Sequence, residues 1–151
     1  MITTTSHKTL LHPQEIETFY VLPTLRRYIA LGLKERGMKQ KDIAQMLGIS
    51  SASISQYTST KRGHQIQFPL EIIEEIRKAV LKITDRFTYF QQTQHLLYVI
   101  REQKVLCQIH MQFSDVPALC EPLAIGCHRK KIEHSDTLLH QNILPVIINS
   151  N

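Results

Sequence analysis

At 151 residues, 42% of them hydrophobic, the chain is long enough to bury the core of one domain, or of a small domain with an appendage. No apolar run approaches the roughly 20 residues that span a membrane, and the start MITTTSHKTLLH lacks a signal peptide's apolar stretch, so a cytoplasmic location and no membrane partner are expected. The net charge of +5 is uneven: residues 1–68 carry nine Lys/Arg against four Asp/Glu, and residues 69–151 nine of each, which points to a polyanion-binding half joined to a neutral assembly or sensing half.

Residues 1–12 are polar and rich in Thr, Ser and His, and are expected to be a flexible N-terminus. A first strong helix is predicted from Pro23, a residue suited to the first helical position, with Leu25, Tyr28, Ile29 and Leu33 on one face and Gly37 as its stop. A second runs from Gln40 to Leu47, and a third follows the N-cap Ser50 to near Thr58. After a loop, Pro69 opens a helix to about Ile83 with the stripe Ile73, Ile76, Val80 and Ile83. Another helix is predicted over Tyr89–Gln103, with Leu96, Leu97 and Ile100 inward, whereas VLCQIH (105–110) reads as extended or irregular. Pro117, Pro122 and Gly126 permit only short helices beyond it; 135–144 reads as a helix, and 143–148 equally as a strand. The expected fold is mainly α: residues 13–68 a helix-turn-helix DNA-binding domain, and 69–151 a helical, partly irregular dimerisation or sensing region.

The stretch GMKQKDIAQMLGISSASISQYTSTKRG (37–63) carries the sharpest signal. Ile43 and Leu47 point to a core, Ala44 allows close helix approach, Gly48 fits a corner of positive φ, Ile49 plugs the turn, and Ile54 and Tyr57 pack the next helix back. That leaves Ser51, Ala52, Ser55 and Gln56 facing outward, small or amide side chains with no acid among them. Such a face suits insertion into the major groove of double-stranded DNA, where a Gln amide pairs bidentately with adenine. An ordinary solvated face would instead carry Glu and Lys. Lys61 and Arg62 are placed to grip phosphates, with Lys39, Lys41, Arg26 and Arg27 as further candidates.

Residues 13–63, from PQEIETFYVLPTLRRY through the helix-turn-helix to Lys61-Arg62-Gly63, resemble small prokaryotic transcriptional regulators of the lambda-repressor-like type. The resemblance implies a sequence-specific DNA-binding regulator. Members often carry a cysteine-rich C-terminal part resembling an iron–sulfur or metal site, looser here: Ile100-Arg101 and Cys107-x2-His110 are present, but Gln14, Gln94 and Leu97 stand where cysteines would be expected.

Taken as chemistry, Cys107, His110, Cys120 and Cys127 (with His128 beside it) are ligand types for Zn²⁺ or an iron–sulfur centre. Three cysteines cannot supply a four-thiolate cluster alone, and Cys120 and Cys127 are not a tight pair. Buried structural thiols, a metal site and a redox role are the three readings, and no stoichiometric iron–sulfur cluster is expected. Nor is an enzyme: GxGxxG, GxSxG and HExxH are all missing from the sequence. The reading is therefore a homodimeric regulator of transcription; the alternative is a protein-interaction or antitoxin-like adaptor on the same helical domain, with a metal- or redox-responsive C-terminal region.

Overall fold

A computed structural model describes residues 8–127, and among them the fold is all helical. The chain opens with α1 (Pro13–Ile16), a π-helical turn (Glu17–Val21) and α2 (Leu22–Glu35), which run on as one continuous rod. The first helix thus begins ten residues before the proline expected to start it. Its true start is Pro13, preceded by His12, whose backbone N–H donates to Glu15 Oε2 at 2.8 Å. Pro23 has no N–H to give and its ring crowds the preceding turn. The rod meets this by widening just upstream, where the Leu22 N–H reaches back five residues to the Glu17 carbonyl.

The helices α3 (Gln40–Leu47) and α4 (Ser51–Thr58) lie where the sequence put them. Then come α5 (Leu70–Lys82) and α6 (Arg86–Glu102). α6 starts earlier than its apolar spacing suggests, because Asp85 caps it. Asp85 Oδ1 accepts from the Thr88 N–H at 2.7 Å, and Thr88 Oγ1 accepts from the Asp85 N–H at 2.9 Å. The Thr88 backbone and hydroxyl donors hold the Asp85 carboxyl below its ordinary value of 3.8. A depressed carboxyl contributes stability above its unfolded pKa, and that contribution is lost as pH falls through the folded value. Asp85→Asn should therefore melt below the wild type at neutral pH, the gap closing on acidification well below 3.8. Thermal unfolding across that range checks it, and a gap constant with pH would leave the carboxylate's charge without a role.

VLCQIH is not extended. It forms the start of α7 (Val105–Phe113). Helical winding puts Val105, Leu106 and Ile109 together on a buried face, and it stacks Phe113 on Tyr20 of the π turn at 4.1 Å between ring centroids. That burial outweighs the modest helix penalty of β-branched residues. Residues 8–12 lie along the end of α7: the Leu11 N–H donates to Ser114 Oγ at 2.7 Å, the Lys8 ammonium to the Gln112 carbonyl, and the Asp115 N–H to the Thr9 carbonyl. Beyond Pro117 the chain is irregular except for the single turn α8 (Pro122–Ile125). The helix or strand expected within 135–148 lies outside the described residues.

One apolar core runs through α2 to α7. It joins Ile29 and Leu33 to Ile43, Ile54, Ile76, Leu96, Ile100 and Ile109, so it crosses the boundary drawn at residues 68 and 69. The stripe on α5 is spent inside the chain: Ile76, Val80 and Ile83 are buried and Ile73 is half-buried. α5 meets α2 at Gly32, where an added Cβ would stand 3.0 Å from Val80 Cγ2. Arg36 Nη1 then caps α5 by donating to the carbonyls of Val80 (2.6 Å) and Ile83 (3.0 Å).

Candidate functional site

α3 and α4 meet through the corner Gly48-Ile49-Ser50. Gly48 adopts φ 67° and ψ 32°, the left-handed conformation that costs glycine little. The Gly48 N–H donates to the Gln45 carbonyl and the Ile49 N–H to the Ala44 carbonyl at 3.0 Å, closing the C-terminus of α3 in a Schellman motif. Ser50 Oγ accepts from the Ser53 N–H at 3.1 Å and starts α4. Ile43, Ala44, Leu47, Ile54 and Tyr57 are all buried, as the sequence required of a tight two-helix corner. Gln40, unmarked as a contact in sequence, ties the pair: its amide donates to the Ser51 carbonyl at 2.9 Å and to Ser55 Oγ at 2.7 Å.

Ser51, Ala52, Ser55 and Gln56 are exposed on the outer face of α4, and Lys39, Lys41, Lys61 and Arg62 are exposed around it. Ser55 differs from the other three, because its hydroxyl also donates to the Ser51 carbonyl and is engaged within the protein. Arg62 is positioned from both ends: its N–H donates to the Gln56 carbonyl at 3.1 Å, and its guanidinium lies 6.0 Å from the Tyr57 ring centroid. Gly63 (φ 70°) presses this loop onto the first turn of α2.

Arg26 and Arg27, the other phosphate candidates, are only half-exposed. Burial alone would lower Arg26, but hydrogen bonds with Tyr57 and Tyr89 outweigh it and hold the guanidinium above its ordinary value. Arg26 is therefore first a strut beneath α4. With Lys61, Arg62 and His64 it also lines a cavity of about 350 Å³ beside the Lys-Arg-Gly loop, and its Nε is buried without a hydrogen-bond partner among the described residues.

The three thiols do come together. Cys107, Cys120 and Cys127 line one cavity of about 310 Å³ with His110 and Glu121. They are not a ready ligand set: among the described residues no three of His, Cys, Asp or Glu are disposed to hold a metal ion. His110 Nε2 lies 2.6 Å from the Leu11 carbonyl oxygen, a bond that ties α7 to the chain before α1. The candidate Zn or iron–sulfur ligands Cys107, His110, Cys120 and Cys127 thus line one cavity without forming a ready metal set among the described residues, and His128 lies outside them.

Sequence reading missed the buried partner of Arg101, a residue that lines this cavity. Glu17, buried in the π turn, accepts from Arg101 Nε and Nη2, both at 2.6 Å. This bidentate bond pushes Arg101 above its ordinary value and ties the first rod to α6. Nothing local marked Glu17, since its partner is 84 residues away. No helix among the described residues is long and apolar enough to cross a membrane. Comparison with protein-family models, with curated proteins and with solved structures finds no match to this chain.

Proposed function

We propose that the protein is a sequence-specific DNA-binding regulator of transcription that inserts α4 into the major groove. One observation carries this reading. The outer face of α4 is exposed and free of carboxylates, it adjoins exposed Lys61 and Arg62, and the inner face of the same helix is fixed by buried Ile54 and Tyr57. A rigid helix with a small, amide-bearing outer surface fits a groove of bases, while the flanking cations fit its phosphates. No catalytic role is assigned.

One helix-turn-helix covers few base pairs, so we take operator binding to need a homodimer. Because Ile76, Val80 and Ile83 are internal, the two copies must meet through another surface. Phe87, Phe90 and Tyr98 remain exposed along α6 and are the first residues to test.

The test is selection of bound duplexes from a random pool, then titration of variants against the selected site and random DNA. The selected site should be palindromic, with half-sites about one helical turn apart. Gln56→Ala should cost about 1–3 kcal/mol on the selected site and little on random duplex. Lys61→Ala and Arg62→Ala should weaken both and lower the salt slope by about one each. The same loss from all three variants on every duplex would refute base reading by Gln56. Binding with no salt dependence would favour the adaptor reading.

A further inference from the structure

The cavity of about 310 Å³ has a wall that the DNA-binding reading leaves without a role: every cysteine of the chain opens onto it. The three come from differently built segments. Cys107 stands on α7, which is fixed by buried Val105, Leu106 and Ile109. Cys120 lies on the irregular stretch after Pro117, where its N–H donates to the Pro117 carbonyl at 3.0 Å. Cys127 follows Gly126 and is shared with a second cavity beside Tyr98, Arg101 and Glu102, so it stands at the margin of the first. All three thiols are half-buried, which leaves them open to a small reagent.

We propose that this cavity is a thiol-oxidation site, in which a hydroperoxide converts Cys107 and Cys120 to an intramolecular disulfide. The arrangement favours a covalent bond over a metal: a tetrahedral ion needs four ligands, no three suitable groups among the described residues are disposed to hold one, and the His110 Nε2 is bonded to the Leu11 carbonyl. A disulfide needs only two sulfurs, one on a fixed helix and one on an irregular segment able to adjust to it.

Burial, and after it the neighbouring Cys120 and Cys127, push the Cys107 thiol up, which makes it the second rather than the first nucleophile. In the first step the Cys120 thiolate attacks a peroxide oxygen, the O–O bond breaks, and the departing hydroxide takes a proton to leave as water. Cys120 is then a sulfenic acid. In the second step the Cys107 sulfur attacks the Cys120 sulfur; the S–O bond breaks and the hydroxyl leaves with the Cys107 proton as a second water. Two thiols are oxidised by two electrons, and one peroxide is reduced to two waters (or to an alcohol and one water, for an organic hydroperoxide).

The site is independent of DNA binding and is tested without it. The full-length reduced protein is titrated with hydrogen peroxide, quenched by alkylation under denaturing conditions and mapped by mass spectrometry. Two of the three thiols should be lost together near one equivalent, in a peptide linking Cys107 to Cys120 that dithiothreitol splits. Cys127 should stay alkylable, and Cys127→Ser should leave the link intact. Cys107→Ser should instead let a sulfenic acid build up on Cys120, trapped by dimedone. A linkage between two chains, a Cys107–Cys127 link, or oxidation of each thiol separately to sulfinic acid would overturn the assignment.

Discussion

Gly63→Ala should destabilise the protein by about 2–5 kcal/mol and, with it, weaken binding to every duplex. Two costs add. Gly63 sits at φ 70°, a conformation that costs a residue with a Cβ about 1–2 kcal/mol. The added Cβ would also stand 2.4 Å from the Pro23 carbonyl oxygen and 2.9 Å from Arg27 Cβ. The first is a backbone atom of a helix and cannot swing away, so the loop must lift from α2, an overpacking cost of about 1–3 kcal/mol. Lys61 and Arg62 move with that loop, which is why the loss on DNA should not depend on sequence. Gly37→Ala separates the two costs: its φ is 86° but no atom of the described residues lies within 4 Å of the new Cβ. It should show the conformational cost alone, with DNA binding kept. Urea unfolding of both variants is the measurement, and equal losses would remove the contact with Pro23 as the cause.

Arg101→Ala should cost about 3 kcal/mol. The Glu17 side chain is only 10% exposed, and without Arg101 it would hold a carboxylate short of both charge-assisted bonds. Breaking a wholly buried pair costs about 3–5 kcal/mol; the lower end applies because the Arg101 side chain is 43% exposed and water can enter in its place. The double variant Glu17→Leu/Arg101→Leu should recover most of the loss, since replacing both partners with apolar groups is near neutral where the space is filled. Urea unfolding decides it. A loss from Arg101→Ala within about 0.5 kcal/mol would mean that the pair behaves as an exposed one.

The two predictions differ in how far the sequence anticipates them. Lys61, Arg62 and Gly63 follow α4 directly, and their importance is legible because the corner before them is encoded locally. Gly48 supplies the left-handed turn, Ser50 the cap, and Ile43, Ala44, Leu47, Ile54 and Tyr57 the buried face. Each of those signals acts within a few residues, so spacing alone reveals it. The Glu17–Arg101 pair joins residues 84 apart, and no local pattern marks Glu17 or shows that it pairs with Arg101.

The sequence by itself determined a mainly helical chain with α3, α4 and α5 nearly where they stand, because apolar period and cap chemistry are local. Tertiary packing decided the rest. It carried the first helix through Pro23 by a π turn, and it wound Val105–Phe113 into a helix although its residues alone suit an extended chain. It turned the α5 stripe inward against α2, drawing residues from both sides of the expected boundary into one core. It also gathered Cys107, Cys120 and Cys127, whose spacing fits no ligand pattern, around one cavity. In each case burial between segments distant in the chain outweighed local preference, because covering a large apolar side chain is worth about 1.5–3 kcal/mol and a helix propensity less than 1.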